Sequence, residues 1–188
     1  MASAVLMKGM SLFTTNEWML LLSARFVNVL LGALMAWVVL KAAKLLFPRR
    51  YAWMFTALVV FLPGNVILYS YVNCDALAMC STAIIFYSWV KAYKEGWNWT
   101  TCAVSAIGMG LCFLSYYNAY GFILTTFFFF VGTMLTDQEK APKERWKEMI
   151  QKGLFILVIV CVIALWWFIR NAILYLSLIH ISEPTRPY

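Results

Sequence analysis

From Trp18 to Leu40 the chain carries one charged residue, Arg25, and five more apolar stretches of similar character follow it. Nothing constrains the fold more. A bilayer core takes roughly 20 consecutive apolar residues per helix, within a range of about 17–25. On that template, spans fall at about 18–40, 51–71, 76–93, 100–117, 120–136 and 154–174. The fourth and fifth are short, and either tilt little or form a tight hairpin around Tyr116 to Gly121. Composition agrees: 64% of the 188 residues are hydrophobic and 12% charged. Soluble domains carry about a quarter charged residues, and a soluble chain of this size could not bury so much apolar surface. The predicted fold is all-α, a polytopic transmembrane bundle of about six spans with no soluble domain.

The loop charges give the bundle a direction. Lys41, Lys44, Arg49 and Arg50 follow the first span, Lys91 and Lys94 the third, and Lys140, Lys143, Arg145, Lys147 and Lys152 the fifth. With six spans these clusters share one side, while the turns around Asn73–Asp75 and Asn118 hold no Lys or Arg. The basic side is expected to face the cytoplasm, leaving the N-terminus and Asp75 outside. The net charge of +7 lies between apolar runs rather than along one face, so nucleic acid is not an expected partner. Membrane lipid is. Cys80, Cys102, Cys112 and Cys161 sit inside apolar runs as small hydrophobes, with only Cys74 near a loop, and no disulfide framework is expected. No cleavable signal peptide is evident at the start.

Two stretches stand apart from the spans. Residues 137–152 are polar and read as a cytoplasmic interfacial helix or a solvated linker, with Trp146, Met149 and Ile150 on one apolar edge. The run from Leu176 to Arg186 resembles the translation of a transposon-derived sequencing adapter. Residues 176–188 are accordingly read as an artefact. His180 drops out as a ligand or base, and the natural protein is expected to continue further. The phenylalanines from Phe127 to Phe130 read as lipid-facing bulk.

Ionisable groups within spans are costly and are functional candidates. Asp75, in Tyr71-Val72-Asn73-Cys74-Asp75, offers several acceptor lone pairs to a metal, a sugar hydroxyl or a basic partner. The alternative is that Asn73 or Asp75 caps the third span. Arg25 and Arg170 either snorkel to the interface or grip a phosphate bidentately. Asn171 stands beside Arg170, after Trp166 and Trp167. Pro63-Gly64 interrupts the second span, as a plain kink or as a helix broken at a cavity. Asn28 and Asn118 are weaker candidates. Ser105, Gly108 and Gly110 give the fourth span a small-residue packing face. The sequence has no Walker A loop, no HExxH, no dinucleotide-binding glycine pattern and, without His180, no Ser-His-Asp set.

Three stretches carry a family resemblance. Arg25 to Lys44 is an Arg followed by a Gly-containing apolar run and a basic turn. Pro63 to Ala76 is a proline-bearing helix ending in a loop with an acid. Trp166-Trp167-Phe168-Ile169-Arg170-Asn171 runs on to Tyr175. Together they resemble bacterial GT-C-class glycosyltransferases of the protein O-mannosyltransferase type, and also a related uncharacterised family of multispan membrane proteins that carries Tyr-Val-Asn-x-Asp. The resemblance implies sugar transfer from a polyprenyl-phosphate carrier on the outer face of a bacterial cytoplasmic membrane. It makes Asp75 a supporting acid, and makes Arg25, Arg170, Asn73 and Asn171 contacts to lipid phosphate or sugar. The cofactor is open, with a divalent metal among the candidates. The family's principal catalytic acid sits in a first outer loop, where only Glu17 remains here. The chain is therefore expected to be an inactive fragment of the enzyme. A transporter or flippase and a non-catalytic scaffold are the competing readings.

Overall fold

The computed structural model describes residues 2–136 and 141–179, so residues 180–188 of the adapter-like tail, His180 included, lie outside the described residues, while 176–179 fall at the end of the last helix. Among these, every regular element is helical: α1 (Ala2–Met10), α2 (Glu17–Leu46), α3 (Arg49–Val60), α4 (Pro63–Ser70), α5 (Asp75–Glu95), α6 (Trp99–Phe113), a 3₁₀ turn (Tyr117–Ala119), α7 (Tyr120–Thr136) and α8 (Pro142–Ile179). The chain is an all-α polytopic bundle.

Passes alternate in direction. At one end Lys44 lies over the Trp53 ring at 5.4 Å, Trp97 bonds Thr133, and Trp99 meets Phe155 edge-on at 5.2 Å. At the other, Asn28 bonds the Tyr71 carbonyl, Cys112 bonds that of Ala119, and Phe113 meets Phe168. The described residues of the three basic clusters therefore share one end, and Asp75 lies at the opposite one.

Six apolar passes lie in the bundle, though not all are long enough to count as spans on length alone. By length and apolar composition four helices can cross a membrane, or five if the bent pair α3–α4 is one span. α6 is apolar but has 15 residues, a rise of about 22 Å against a hydrocarbon core of about 30 Å. It can be short because protein surrounds it. Thr101, Cys102, Ser105, Ala106 and Cys112 are fully buried between α5, α7 and α8. The polar segment after Pro142 forms no separate helix. α8 runs unbroken for 38 residues, so residues 142–152 are its first turns, while 137–140 lie outside the described residues.

Pro63 accounts for the 60° bend between α3 and α4. Lacking an amide hydrogen, it leaves the Val59 carbonyl without its helical donor. Asn65 supplies one: its Nδ2 donates to Val59 O at 2.7 Å. A cavity of about 270 Å³ lies beside the bend, bounded by Val29, Gly32, Phe61 and Tyr69.

Glycines set the helix spacing around α6. A Cβ on Gly108 would meet Ile85 Cγ1 at 2.9 Å, and one on Gly110 would meet Ile163 Cβ at 2.9 Å. The small-residue face thus serves two neighbours, α5 and α8. At the turn into α6, Gly96 adopts φ of +75°, which only glycine takes without strain. Asn98 then caps α6 by accepting from Thr101 N at 2.8 Å.

α7 is held differently. Trp89 Nε1 donates to Thr126 Oγ1 at 3.0 Å, and Trp97 Nε1 to Thr133 Oγ1 at 2.7 Å. Both threonines donate onward to carbonyls four residues back in α7. The phenylalanine run is only partly lipid-facing: Phe127 and Phe128 are exposed, but Phe130 is buried edge-on against Trp97 at 4.9 Å. Behind α7 an apolar groove of about 500 Å³ runs between α6, α7 and α8.

Gly110→Val should destabilise the bundle by about 1–3 kcal/mol, because the α6–α8 contact cannot widen locally. Gly132→Ala, whose added Cβ meets nothing within 4 Å beyond its own helix backbone and chain neighbours, should leave stability equal or slightly higher. Unfolding midpoints in detergent compare the two variants.

Candidate functional site at the Asp75 end

The connection from α4 to α5 is built around two asparagines. α4 stops at Ser70, and Tyr71 turns extended. Asn73 Nδ2 donates to Leu68 O at 2.6 Å and to Tyr71 O at 3.1 Å, while its Oδ1 accepts from Ala76 N at 2.8 Å. One side chain thereby closes the end of one helix and the start of the next. Asn28, buried on α2, donates to Tyr71 O at 2.5 Å and approaches Asn73 O at 3.5 Å. The loop is tied to α2 as well as to itself.

This arrangement decides which residue caps α5. Asn73 does, and Asp75 does not. Asp75 occupies the first helical position, half-buried, and its carboxylate makes no hydrogen bond among the described residues. The positive end of the helix favours a charge there, yet its acceptor sites stay available. Asn73, by contrast, has both side-chain groups committed to the loop.

Arg25 lies one turn before Asn28 on the same face of α2. It is half-buried, and its Nε is sealed from solvent without a hydrogen-bond partner among the described residues. Arg170 sits elsewhere. Its guanidinium is exposed and rests 5.4 Å from the centre of the Trp167 ring. α8 packs against α6 and α7, whereas α2 packs against α1, α3, α4 and α5. Arg170 and half-buried Asn171 therefore reach the same end of the bundle on a different flank from Arg25.

The turn after α6 completes this end. Cys112 ties this turn to α6 through its bond to Ala119 O, and the Asp75 carboxylate acts electrostatically on Tyr116, so the turn lies near the start of α5. Tyr116, Tyr117 and Asn118 are exposed there. The Tyr117 hydroxyl first, then partial desolvation and the nearby Asp75 carboxylate, raise the Tyr116 phenol above its ordinary pKa. Sequence reasoning singled out Asn118 in this turn but passed over the tyrosine pair; a Tyr-Tyr doublet in an uncharged turn was the available signal. No three of the His, Cys, Asp and Glu side chains converge among the described residues, and the Asn73 oxygen beside Asp75 already accepts the Ala76 amide.

The sequence profile of the dolichyl-phosphate-mannose-protein mannosyltransferase family matches residues 1–168. The chain belongs to this family. Comparison with curated proteins and with solved structures finds no match. The mannosyltransferase-family assignment and the apolar helices together make the chain a multi-pass membrane protein with a glycosyltransferase-like role.

The two acidic-loop readings separate by stability. Asn73→Ala should cost about 1 kcal/mol, as the loss of a cap does, and should speed exchange of the Ala76 amide. Asp75→Asn should change stability by less than about 0.5 kcal/mol. Denaturation in micelles with amide exchange distinguishes them.

Proposed function

We propose that the Asp75 end belongs to the transfer site of a membrane mannosyltransferase whose donor is a sugar on a polyprenyl-phosphate carrier. The observation that carries this reading is the Asp75 carboxylate. Asn73 has relieved it of capping, it has no protein partner among the described residues, and it lies at the end opposite the basic clusters. If those clusters face the cytoplasm, Asp75 faces out of the cell, at the headgroup level where a lipid-linked sugar is presented. The membrane would be the bacterial cytoplasmic membrane.

The chemistry is an inverting displacement. The acceptor hydroxyl oxygen bonds to the anomeric carbon, and the bond from that carbon to the phosphate oxygen breaks. The hydroxyl proton passes to a carboxylate acting as general base. Asp75 is a supporting acid for this step, orienting the acceptor or sugar hydroxyls through its free lone pairs. The departing phosphate gains negative charge, and a guanidinium suits it geometrically. Arg25 is the better placed of the two arginines for that role, since it lies on α2 one turn from Asn28, which bonds the loop before Asp75. Arg170 and Asn171 are assigned to headgroup contacts on the other flank. Asn73 acts by holding the loop rather than by touching substrate.

In native membranes containing the protein, Asp75→Asn should lower mannosyl transfer at least tenfold, about 1.4 kcal/mol in the barrier, with insertion unchanged. Arg25→Gln should raise the apparent KM for the lipid donor more than it lowers kcat. Unchanged glycan output from Asp75→Asn would remove that residue from the site.

A further inference from the structure

Three tyrosines crowd the turn after α6, and only one of them serves the fold. Tyr120 is partly buried, donates its hydroxyl to Phe113 O at 3.0 Å and packs edge-on against the Phe113 ring. Tyr116 and Tyr117 do neither. Their rings lie against each other at 4.7 Å and 48°, with 36% and 67% of the residues exposed. The turn beneath them is fastened, since Ala119 N donates to Tyr116 O at 3.0 Å and the Cys112 thiol bonds Ala119 O. Exposed rings on a pinned turn lose little entropy when a ligand settles on them.

The surroundings define the ligand. Residues 114–121 contain no charged side chain, so an ionic partner has nothing to pair with in the turn itself. The Asp75 carboxylate, with open acceptor sites, is near enough to act on the Tyr116 phenol, and Asn118 adds an exposed amide. Aromatic faces attract the weakly positive C–H groups of a ring lying flat on them, while carboxylate and amide bond hydroxyls at its edge. A pyranose offers both surfaces.

We propose that Tyr116 and Tyr117 form the sugar-contacting wall of the Asp75 site, with the Tyr117 ring against the C–H face of the bound hexose. The proposal rests on the glycosyltransferase reading above and adds to it the residues that hold the sugar. The competing role is an interfacial belt, in which tyrosines lie among lipid headgroups and touch no sugar.

Saturation-transfer NMR on the whole chain in phosphatidylcholine nanodiscs, with methyl α-mannopyranoside as probe, separates these roles. Transfer to the mannoside ring protons is expected in the wild type. It should fall roughly three- to tenfold in Tyr117→Ala and persist in Tyr117→Phe, since the ring face and not the hydroxyl is required. Asp75→Asn should also weaken it. Equal transfer in Tyr117→Ala overturns the wall, and leaves the Asp75 reading standing if Asp75→Asn still loses signal. No transfer to the wild type overturns both. Should Tyr117→Ala unfold, Tyr117→Leu keeps the bulk without the aromatic face, and undiminished transfer in that variant equally overturns the proposal.

Discussion

Inside hydrocarbon there is no water to satisfy a backbone group that leaves its helix, so each interruption of this bundle needs a partner from the protein itself. Asparagine supplies it repeatedly. Asn65 donates to the carbonyl that Pro63 abandons, Asn28 donates to Tyr71 O, and Asn73 bridges the end of α4 to the start of α5. These three side chains allow the second pass to bend and the chain to turn sharply into α5. The candidate site follows from that bonding. Because Asn73 takes the capping role, Asp75 keeps an uncommitted carboxylate at the membrane surface.

The helices are assembled by two kinds of contact. Around α6, glycines bring α5 and α8 close, and dispersion between closely spaced helices is the main attraction available in lipid. At α7, paired Trp–Thr hydrogen bonds hold a helix that otherwise leaves a long groove against α8. The Asp75 end is thus carried on a tightly packed unit of α2, α5 and α6, while α7 joins that unit through a few polar anchors.

Much of this was legible in the residues. Apolar run length gives the bundle, and loop charge gives its alternation, because both follow from transfer of side chains between water and hydrocarbon. The small-residue face at Ser105, Gly108 and Gly110 was readable for the same reason. What a span count cannot carry is tertiary shelter: α6 stops at Phe113 because its neighbours enclose it, and periodicity says nothing of neighbours. The choice between Asn73 and Asp75 as cap was open in the sequence, since either residue type can accept from the first amides; in the fold the Ala76 amide donates to Asn73. Arg25 and Arg170 looked equivalent as isolated cations, and only helix adjacency placed them on different flanks. The tyrosine pair was missed because aromatic residues at a membrane surface are ordinarily explained by the interface itself.

The account turns on which way the bundle faces. Cys74, next to Asp75, is the exposed cysteine among the five, with Cys80, Cys102 and Cys112 buried and Cys161 half-buried within α8. A membrane-impermeant maleimide applied to intact cells reads the orientation directly. The account predicts labelling of Cys74 from outside, abolished in Cys74→Ser. Labelling of Cys74 only after the cells are opened would place Asp75 in the cytoplasm and contradict an outward-facing transfer site.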